Sequence, residues 1–337
     1  MDNPVDAAYF VDRDEPLSRI DRALSRGLNV LVSGEPGMGK TSLLRHVMYR
    51  ARTEGSEPVG DFPMRFVRAE GISDGSELLS RIAGTTGQSE AACLESLAAE
   101  RATIVDETLA RWKSEGSDAT GAILNPAIIV DDVTATAGHA LFGRLRDELW
   151  ETGWQWIVSV RSNDRGAVLT PPADAFFETV IDLEPMTVDA ANELFTGRTD
   201  VHFGALPAEV TRVVGGNPRR MIATLRDLMD MPTSDIRQRL DLMRWRDNQI
   251  HMLGRSESML AFELEARGSA SASDKDLLNR LGWTRARAVQ VATKLEEAGL
   301  VVGEDAASTG QGRPRKLYRL VSPEELMARN VDVGVSL

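Results

Sequence analysis

The chain has 337 residues, of which 42% are hydrophobic and 27% charged, and its formal net charge is −12. This length suits two or three domains with packed cores, and the single cysteine, Cys93, excludes an intramolecular disulfide framework. The negative charge excludes non-specific attraction of the whole surface to nucleic acid, so any DNA contact requires a local basic patch. No stretch approaches the roughly 18 apolar residues of a membrane span, and the start has no signal-peptide pattern. We therefore expect a cytoplasmic protein with no membrane partner.

The first segment with a clear pattern is residues 9–17, which leads into an amphipathic helix. Leu17, Ile20 and Leu24 recur on one face of that helix. Because the segment comes just before the first predicted strand, it is placed to lie beside a ligand bound at the end of that strand. The alternative is that it is only a helix lead-in that packs on the core.

A glycine-rich motif follows the apolar run 29–33 and precedes an amphipathic helix at 42–52. Glycines allow consecutive backbone amides to turn inward around a phosphate, and the helix N-terminus adds partial positive charge. Lys40 is expected to reach the β- and γ-phosphates, and the Thr41 hydroxyl to complete a Mg²⁺ shell. The motif therefore predicts a nucleotide site. Its predicted binding residues are Gly34, Glu35, Pro36, Gly37, Met38, Gly39, Lys40, Thr41 and Ser42.

A second apolar run, residues 127–130, ends in the acids Asp131 and Asp132. This pattern is typical of a buried parallel strand, and open α/β sheets bind ligands at the carboxyl ends of such strands. Asp131 is then placed to hold Mg²⁺ through water, and Asp132 to orient or deprotonate an attacking water. The alternative is that the two acids simply begin a loop.

Further strands alternate with helical patterns along this half of the chain. The predicted strands are 65–69, 154–161 and 179–183, and the predicted helices are 76–115 and 139–151. The alternation predicts an α/β fold with a parallel sheet covered by helices. Arg161 stands at the tip of the fourth strand, where it is expected either to contact a γ-phosphate or to be a solvated surface charge.

A helical segment follows, with predicted helices at 187–198 and 207–214. The turn at 215–220 contains two glycines and places Pro218 in the first turn of the next helix. Such a turn can bring Arg219 or Arg220 to the nucleotide from a separate subdomain, and an arginine there would respond to the γ-phosphate. The alternative is an ordinary turn with two exposed arginines.

Together, these motifs resemble the P-loop group that joins AAA+ initiator-type ATPases and the signal-transducing STAND ATPases, over about residues 9–230. The resemblance implies ATP or ADP with Mg²⁺ as the ligand and ATP hydrolysis as the activity. It also assigns Phe10, Val11 and Arg13 to an adenine-side box, and residues 128–132 to the Walker B strand.

The resemblance implies two further sensor positions. Arg161 is similar to the arginine that ends the STAND sensor strand, although Ser162, Asn163 and Asp164 also resemble the polar sensor tip of origin-recognition ATPases. Pro218 and Arg219 resemble the Gly-x-Pro lid motif and the sensor-two arginine.

One feature departs from the AAA+ pattern. AAA+ rings supply an arginine finger in trans from the segment before the fifth strand. Residues 166–180 contain no arginine or lysine, and Arg165 at their edge is the nearest candidate. Slow turnover, or a switch held by nucleotide, is therefore expected rather than rapid hydrolysis in an obligate ring.

The C-terminal part is predicted to be a connecting helix at 234–253 followed by a winged helix-turn-helix. Its three helices are expected at 257–266, 274–281 and 284–298, before a hairpin whose return strand is 316–321. Thr284 is the expected N-cap of the third helix. Val289, Ala292 and Leu295 are expected to form the buried face of that helix.

Basic residues concentrate on the third helix and on the wing. From Arg255 to Arg319 the module has 11 basic and 9 acidic residues. In a major-groove and wing docking geometry, the predicted DNA contacts are Arg285, Arg287, Gln290, Lys294, Arg313, Arg315 and Lys316. The alternative, implied by the resemblance to STAND proteins, is a regulatory module that packs on the nucleotide domain without touching DNA.

The predicted organisation is α/β: a parallel P-loop NTPase sheet with a helical lid subdomain and a C-terminal winged helix-turn-helix. The predicted boundaries are 1–184 for the nucleotide-binding domain, 185–232 for the lid, 233–254 for the connecting helix, 255–322 for the winged helix and 323–337 for a tail. The predicted function is an ATP-binding switch, slow in hydrolysis, that couples nucleotide state to DNA binding and self-associates on binding ATP. Two alternatives remain: a STAND-type signalling or assembly switch, and an AAA+ helper ATPase of replication or transposition.

Overall fold

The computed structural model describes residues 9–53, 64–85, 127–197, 204–229, 231–305 and 315–329. The chain divides into two compact units, Met1–Val201 and His202–Leu337. The finer boundaries at 184, 232 and 254 stay predictions. Within the described ranges, no helix combines the length and the apolar character needed to cross a membrane.

The first unit is built on a five-stranded sheet with the order β2-β3-β4-β1-β5. Every neighbouring pair is parallel. The strands are β1 Val30–Gly34, β2 Met64–Arg68, β3 Ala127–Val133, β4 Gln155–Arg161 and β5 Thr179–Asp182. This order and direction confirm the predicted parallel α/β sheet.

Helices cover both faces of this sheet. They are α1 Asp14–Leu24, α2 Lys40–Thr53, α3 Gly75–Thr85, α4 Ala135–Gly138, α5 Arg146–Glu151, α6 Ser162–Val168 and α7 Val188–Thr196. Because side chains alternate along a strand, Leu31 joins one apolar core, while Val30 and Val32 join a second core on the other face. Burial on both faces explains why the central strands β1 and β3 contain continuous apolar runs.

Two helix predictions in this unit are only partly right. The predicted helix at 139–151 is interrupted, because a π-helical turn at His139–Arg144 precedes α5. A Cβ added at Gly143 would lie 3.2 Å from His139 Nδ1, so the glycine permits a close approach within that turn. The predicted helix at 76–115 is described only as far as Thr85, and the rest of it lies outside the described residues.

The second unit combines helices with a small antiparallel sheet of order β6-β8-β7. The helices are α8 Leu206–Val214, α9 Pro218–Met229, α10 Thr233–Leu253, α11 Arg255–Arg267, α12 Lys275–Leu281, α13 Arg285–Glu297 and α14 Pro323–Ala328. The strands are β6 Ala270–Ser271, β7 Val301–Asp305 and β8 Lys316–Leu320. The predicted three helices and hairpin are therefore present, together with β6 and α14, which the sequence did not predict. The assignment of these elements as a winged helix stays a prediction.

The buried face of α13 differs from the predicted one. Val289 is 39% exposed, so its assignment to the core was wrong. The buried residues are Ala288, Val291, Ala292 and Leu295. These positions follow the pattern i, i+3, i+4, i+7, which matches the 3.6-residue turn better than a repeat of three does.

Candidate nucleotide site

The glycine-rich loop connects the carboxyl end of β1 to the start of α2. Gly37 and Gly39 have φ angles of +83° and +93°, in a region that side chains other than glycine rarely adopt. The helix begins at Lys40, whose side chain is buried and donates hydrogen bonds to the carbonyls of Gly34 (2.7 Å) and Glu35 (3.1 Å). The loop therefore brings its own amides, a helix N-terminus and an ammonium group together in one place.

The two residues predicted to hold Mg²⁺ are in direct contact. Thr41 Oγ1 donates to Asp131 Oδ2 over 2.7 Å, which joins the first turn of α2 to the end of β3. A hydroxyl and a carboxylate are hard oxygen ligands of the kind that Mg²⁺ prefers, and this ion usually completes its shell with phosphate oxygens and water. These residues fit the predicted metal role without any further protein ligand.

Ser159, a fully buried residue of β4, links the two acids of β3. Its Oγ donates to Asp131 Oδ1 over 2.6 Å and accepts the backbone N–H of Asp132 over 2.9 Å. Both carboxylate oxygens of Asp131 are therefore held, one by Thr41 and the other by Ser159. The sequence analysis did not select Ser159, although a serine inside the apolar run of β4 was a visible signal.

The backbone around Asp132 is irregular. The register of β3 against β4 shifts between Val130 and Val133, and Asp132 has a φ of +60°, which is uncommon for a residue other than glycine. A bulge of this kind re-aims side chains at the end of a strand. It separates the directions of the two acids, so that Asp131 contacts Thr41 while Asp132 contacts Arg161.

Arg161 is largely buried and forms an ion pair with Asp132. Its Nε and Nη2 lie 3.3 and 3.4 Å from the two carboxylate oxygens of Asp132. The alternative prediction for Arg161, a solvated surface charge, is therefore wrong. The predicted contact of Arg161 with a γ-phosphate stays a prediction.

Asp164 adds a third carboxylate to this region from the first turn of α6. Burial raises the pKa of Asp164, and the negative charge of Asp132 raises it further, whereas Arg161 and Lys40 act in the opposite direction. These influences place Asp164 within electrostatic range of Lys40 and of both members of the ion pair. The sequence analysis named Asp164 only as part of a polar tip and gave it no role in the site.

The predicted adenine-side residues take different positions. Arg13 is buried and donates from Nη2 to the carbonyl of Met38 over 3.2 Å, so it supports the phosphate loop. The ring of Phe10 stacks on His46 of α2, with ring centroids 4.2 Å apart. Val11 lines a cleft of about 260 Å³ together with Tyr9 and with residues 193, 194, 196 and 197 at the end of α7.

The two arginines of the predicted lid, Arg219 and Arg220, differ in their exposure and in their contacts. Asn217 Oδ1 accepts the backbone N–H of Arg220 over 3.3 Å near the start of α9. The Arg220 side chain forms ion pairs with Asp247 of α10 and with Glu265 of α11, the latter over 2.8 Å. Arg219 is exposed, so of the two it is the one that these contacts leave available for the predicted sensor role.

The predicted DNA-contacting residues form two groups. Arg285, Arg287 and Gln290 are exposed on α13, and Arg287 Nη1 donates to Gln290 Oε1 over 2.9 Å. Thr284 caps this helix as predicted, since its Oγ1 accepts the Arg287 N–H. Arg315 is exposed just before β8, whereas Arg313 lies outside the described residues.

The two lysines of the predicted interface are already paired. Lys294 Nζ lies 2.7 Å from Glu257 Oε1 and also donates to the carbonyl of Leu253 over 2.9 Å. Lys316 Nζ lies 2.7 Å from Glu296 Oε2. Among the described residues of the predicted interface, the exposed arginines are therefore Arg285, Arg287 and Arg315.

Comparison with known proteins gives one family and a set of distant structural likenesses. A family model described as an AAA ATPase domain matches residues 9–301. No curated protein matches the chain. The similar solved structures include the Aeropyrum pernix ORC1 protein in complex with DNA, at 17% identity and a TM-score of 0.45, covering 95% of this chain and 93% of that one.

Two more likenesses are of the same order. The Thermotoga maritima RuvB Holliday junction branch migration motor has 16% identity and a TM-score of 0.44, with 96% of each chain covered. A STAND protein with a tetratricopeptide repeat sensor from Pyrococcus horikoshii has 15% identity and a TM-score of 0.41, covering 96% of this chain and 43% of that one. TM-scores this low do not indicate what this chain binds.

Proposed function

This chain belongs to the AAA ATPase domain family, and we propose that it is an ATP-binding switch whose nucleotide state controls DNA binding by its C-terminal module. The observation that carries the proposal is the contact of Thr41 with Asp131 at the mouth of the phosphate loop. This contact joins the loop and the acid strand at the point where a triphosphate and its metal ion would lie. In other AAA+ ATPases the same constellation serves nucleotide binding.

In this proposal the loop residues bind the phosphates, and the two acids position the metal ion and the attacking water. The inward amides and Lys40 hold the phosphates, and Thr41 with Asp131 holds Mg²⁺, which neutralises charge on the β- and γ-phosphates when bound. Ser159 keeps Asp131 in one orientation through the hydrogen bond of 2.6 Å. Asp132 is the residue placed to orient an attacking water or to accept its proton.

Slow turnover is part of the proposal. Asp132 already has a partner in Arg161, so its carboxylate is engaged before any water is bound. Its use on water would require Arg161 to move to another anion, and the γ-phosphate is the natural candidate. The absence of arginine and lysine from residues 166–180 points in the same direction, because a finger in trans has no obvious source there.

Coupling to the C-terminal module is supported by the contacts of Arg220. Through its ion pairs with Asp247 and Glu265, this residue ties α9 to both α10 and α11. Any shift of α9 would therefore be passed on to the first helix of the module. Arg219, next to it and exposed, is the side chain proposed to sense the γ-phosphate.

DNA binding would use Arg285, Arg287 and Gln290 of α13, with arginines of the wing. The test is fluorescence anisotropy of a labelled duplex with the protein in ATP or in ADP, for wild type and for the Arg285→Ala/Arg287→Ala variant. A matched control is Arg237→Ala/Arg244→Ala, which removes two exposed arginines of α10. We expect tighter binding in one nucleotide state, and a loss of that difference in the α13 variant alone. Equal affinity in ATP and ADP would contradict the proposed coupling.

A second candidate function is a switch for protein assembly with a module that never contacts DNA. It is favoured by the pairing of Lys294 with Glu257 and of Lys316 with Glu296, which removes two cations from the predicted interface. For this candidate, the α13 variant would bind the duplex as the control does. Light scattering would then show a change of mass between the ATP and ADP states.

A further inference from the structure

A cleft of about 240 Å³ lies on the first unit, where the second half of α1 meets the start of β5. Three arginines line it, Arg19 and Arg22 of α1 and Arg26 of the turn after it, together with Glu178 and Thr179. We call it the arginine cleft. In a chain with a net charge of −12, three guanidinium groups around one cleft are a local exception.

The arginine cleft is separate from the nucleotide site. β5 pairs with β1 from Thr179 opposite Val30, which is the amino end of both strands. The phosphate loop follows Gly34 at the other end of β1, and four residue steps along a strand cover about 13 Å. None of the residues that line the cleft belongs to the glycine-rich loop or to the acid strand.

Arg19 and Arg22 lie three residues apart on one face of α1, and Arg26 follows in the turn just beyond its last residue, Leu24. All three line the same cleft. Successive phosphates on one strand of duplex DNA lie about 3.4 Å apart along its axis, so a cleft lined by several guanidinium groups can contact more than one of them.

The acidic residues near the cleft are already bound. Glu178 Oε2 accepts the backbone N–H of Asn29 over 2.8 Å, and Glu15 lies 3.7 Å from Arg19 Nη1. Arg19 also donates to the carbonyl of Val180 over 2.6 Å. Arg19 thus fixes one wall of the cleft, while Arg22 and Arg26 are exposed and present their cationic groups to solvent.

The chemistry favours phosphate over a peptide. A guanidinium group matches two phosphate oxygens in a planar fork, which makes arginine a preferred side chain for phosphate recognition. β5 is an edge strand, but Arg19 occupies the carbonyl of Val180, which disfavours the addition of a peptide strand at that point. Three arginines against one glutamate leave the lining positively charged.

We propose that the arginine cleft binds the phosphodiester backbone of a nucleic acid without reading its sequence. Contacts of this kind position a nucleic acid and carry no base specificity. The inference does not rest on the proposed role of the C-terminal module, because the cleft belongs to the other unit.

The test is anisotropy of a labelled duplex with the full chain, over a series of salt concentrations. The variant is Arg22→Gln/Arg26→Gln, which keeps Arg19 and its bond to Val180. The control is Arg81→Gln/Arg144→Gln, which removes the same charge from exposed arginines elsewhere in the first unit. Circular dichroism and thermal melts establish that both variants fold.

We expect the cleft variant to bind more weakly than the control, with a salt slope smaller in magnitude by nearly 2, at about 0.9 for each lost phosphate contact. Its deficit relative to wild type should then shrink about tenfold between roughly 50 and 200 mM salt. The same deficit should remain when Arg285→Ala/Arg287→Ala is added, which separates this inference from the function proposed for α13.

Three results would overturn the inference. The first is equal affinity and equal slope for the cleft variant and the control. The second is a thermal shift with inorganic phosphate that the cleft variant loses while its duplex affinity stays at the control value, which would identify a small-anion site. The third is a change in sedimentation of the cleft variant with unchanged duplex affinity, which would identify an acidic surface of a second copy as the occupant.

Discussion

The guanidinium group of Arg161 holds the carboxylate of Asp132 through two contacts, of 3.3 and 3.4 Å. The pair joins the tip of β4 to the end of β3, beside the loop that is proposed to bind phosphate. The negative charge of Asp132 repels a triphosphate, whereas the positive charge of Arg161 attracts it. Removing the arginine should therefore affect ATP more than ADP.

For Arg161→Ala, we expect the affinity for ATP to fall about tenfold, equivalent to about 1.4 kcal/mol, with a smaller loss for ADP. The measurement is isothermal titration calorimetry with each nucleotide and Mg²⁺. Arg165→Ala is the matched control, because this more exposed arginine on α6 pairs with Asp182 instead. Equal losses for ATP and ADP would show that Arg161 does not distinguish the γ-phosphate.

Ser159 is expected to act as a positioning residue. Ser159→Ala removes the donor to the buried Asp131 and leaves the partly buried N–H of Asp132 without its acceptor, which should cost about 1–3 kcal/mol of unfolding free energy. It should also raise the Mg²⁺ concentration needed for half-maximal ATP hydrolysis, because Asp131 loses one of its two restraints. Ser159→Thr keeps the hydroxyl and should restore the Mg²⁺ dependence. A stability loss with an unchanged Mg²⁺ dependence would reduce Ser159 to a structural role.

Asp164 should make the stability of the folded chain depend on pH. Burial raises its pKa in the folded state, so folding favours its protonated form, and that contribution is lost as pH rises through the folded-state pKa. Asp164→Asn should therefore raise the Tm near pH 7.5 and make little difference near pH 3, where the carboxyl is protonated in both states. Thermal melts across this range test the sign.

The same substitution should strengthen ATP binding at neutral pH, because it removes a negative charge within range of Lys40. Calorimetry at about pH 7.5 measures this effect. Weaker ATP binding by Asp164→Asn would mean that the carboxylate itself takes part in holding the nucleotide complex.

The adjacent lid arginines should differ in their contribution to stability. Arg220→Ala leaves Asp247 and Glu265 without this partner and should cost about 2 kcal/mol, below the range for fully buried pairs because both acids are partly exposed. Arg219→Ala, at an exposed position, should change the unfolding free energy by less than about 0.5 kcal/mol. Urea denaturation followed by circular dichroism compares the two. Equal effects would contradict the assignment of Arg220 to the link between α9, α10 and α11.

Much of the first unit could be predicted because the three central strands of its sheet, β1, β3 and β4, are almost entirely buried. A parallel sheet covered on both faces produces apolar runs such as those of β1 and β3. The glycine-rich loop and the two acids come directly after these runs in the sequence, so their positions at the carboxyl ends of the strands could be predicted. The contact of Thr41 with Asp131 was within reach of the sequence, since both were assigned to one metal ion.

No pattern in the sequence indicated the finer geometry of the site. Nothing in the composition of β3 marks the bulge or the positive φ of Asp132, because both depend on the register against β4. The bond from Arg13 to the Met38 carbonyl was not predicted, and the adenine-side role that the resemblance implies for Arg13 stays a prediction. On α13, a repeat of three placed Val289 in the core, and the true helical period exposes it.

The most direct test of the central claim is calorimetric titration of ATP with Mg²⁺ into the wild type and into Lys40→Ala. We predict one binding event per chain for the wild type, and an affinity at least tenfold weaker for the variant, because it lacks the ammonium group that Gly34 and Glu35 hold beside the predicted phosphate site. A wild type that gives no heat with ATP and Mg²⁺, or a Lys40→Ala variant that binds as tightly as the wild type, would contradict it.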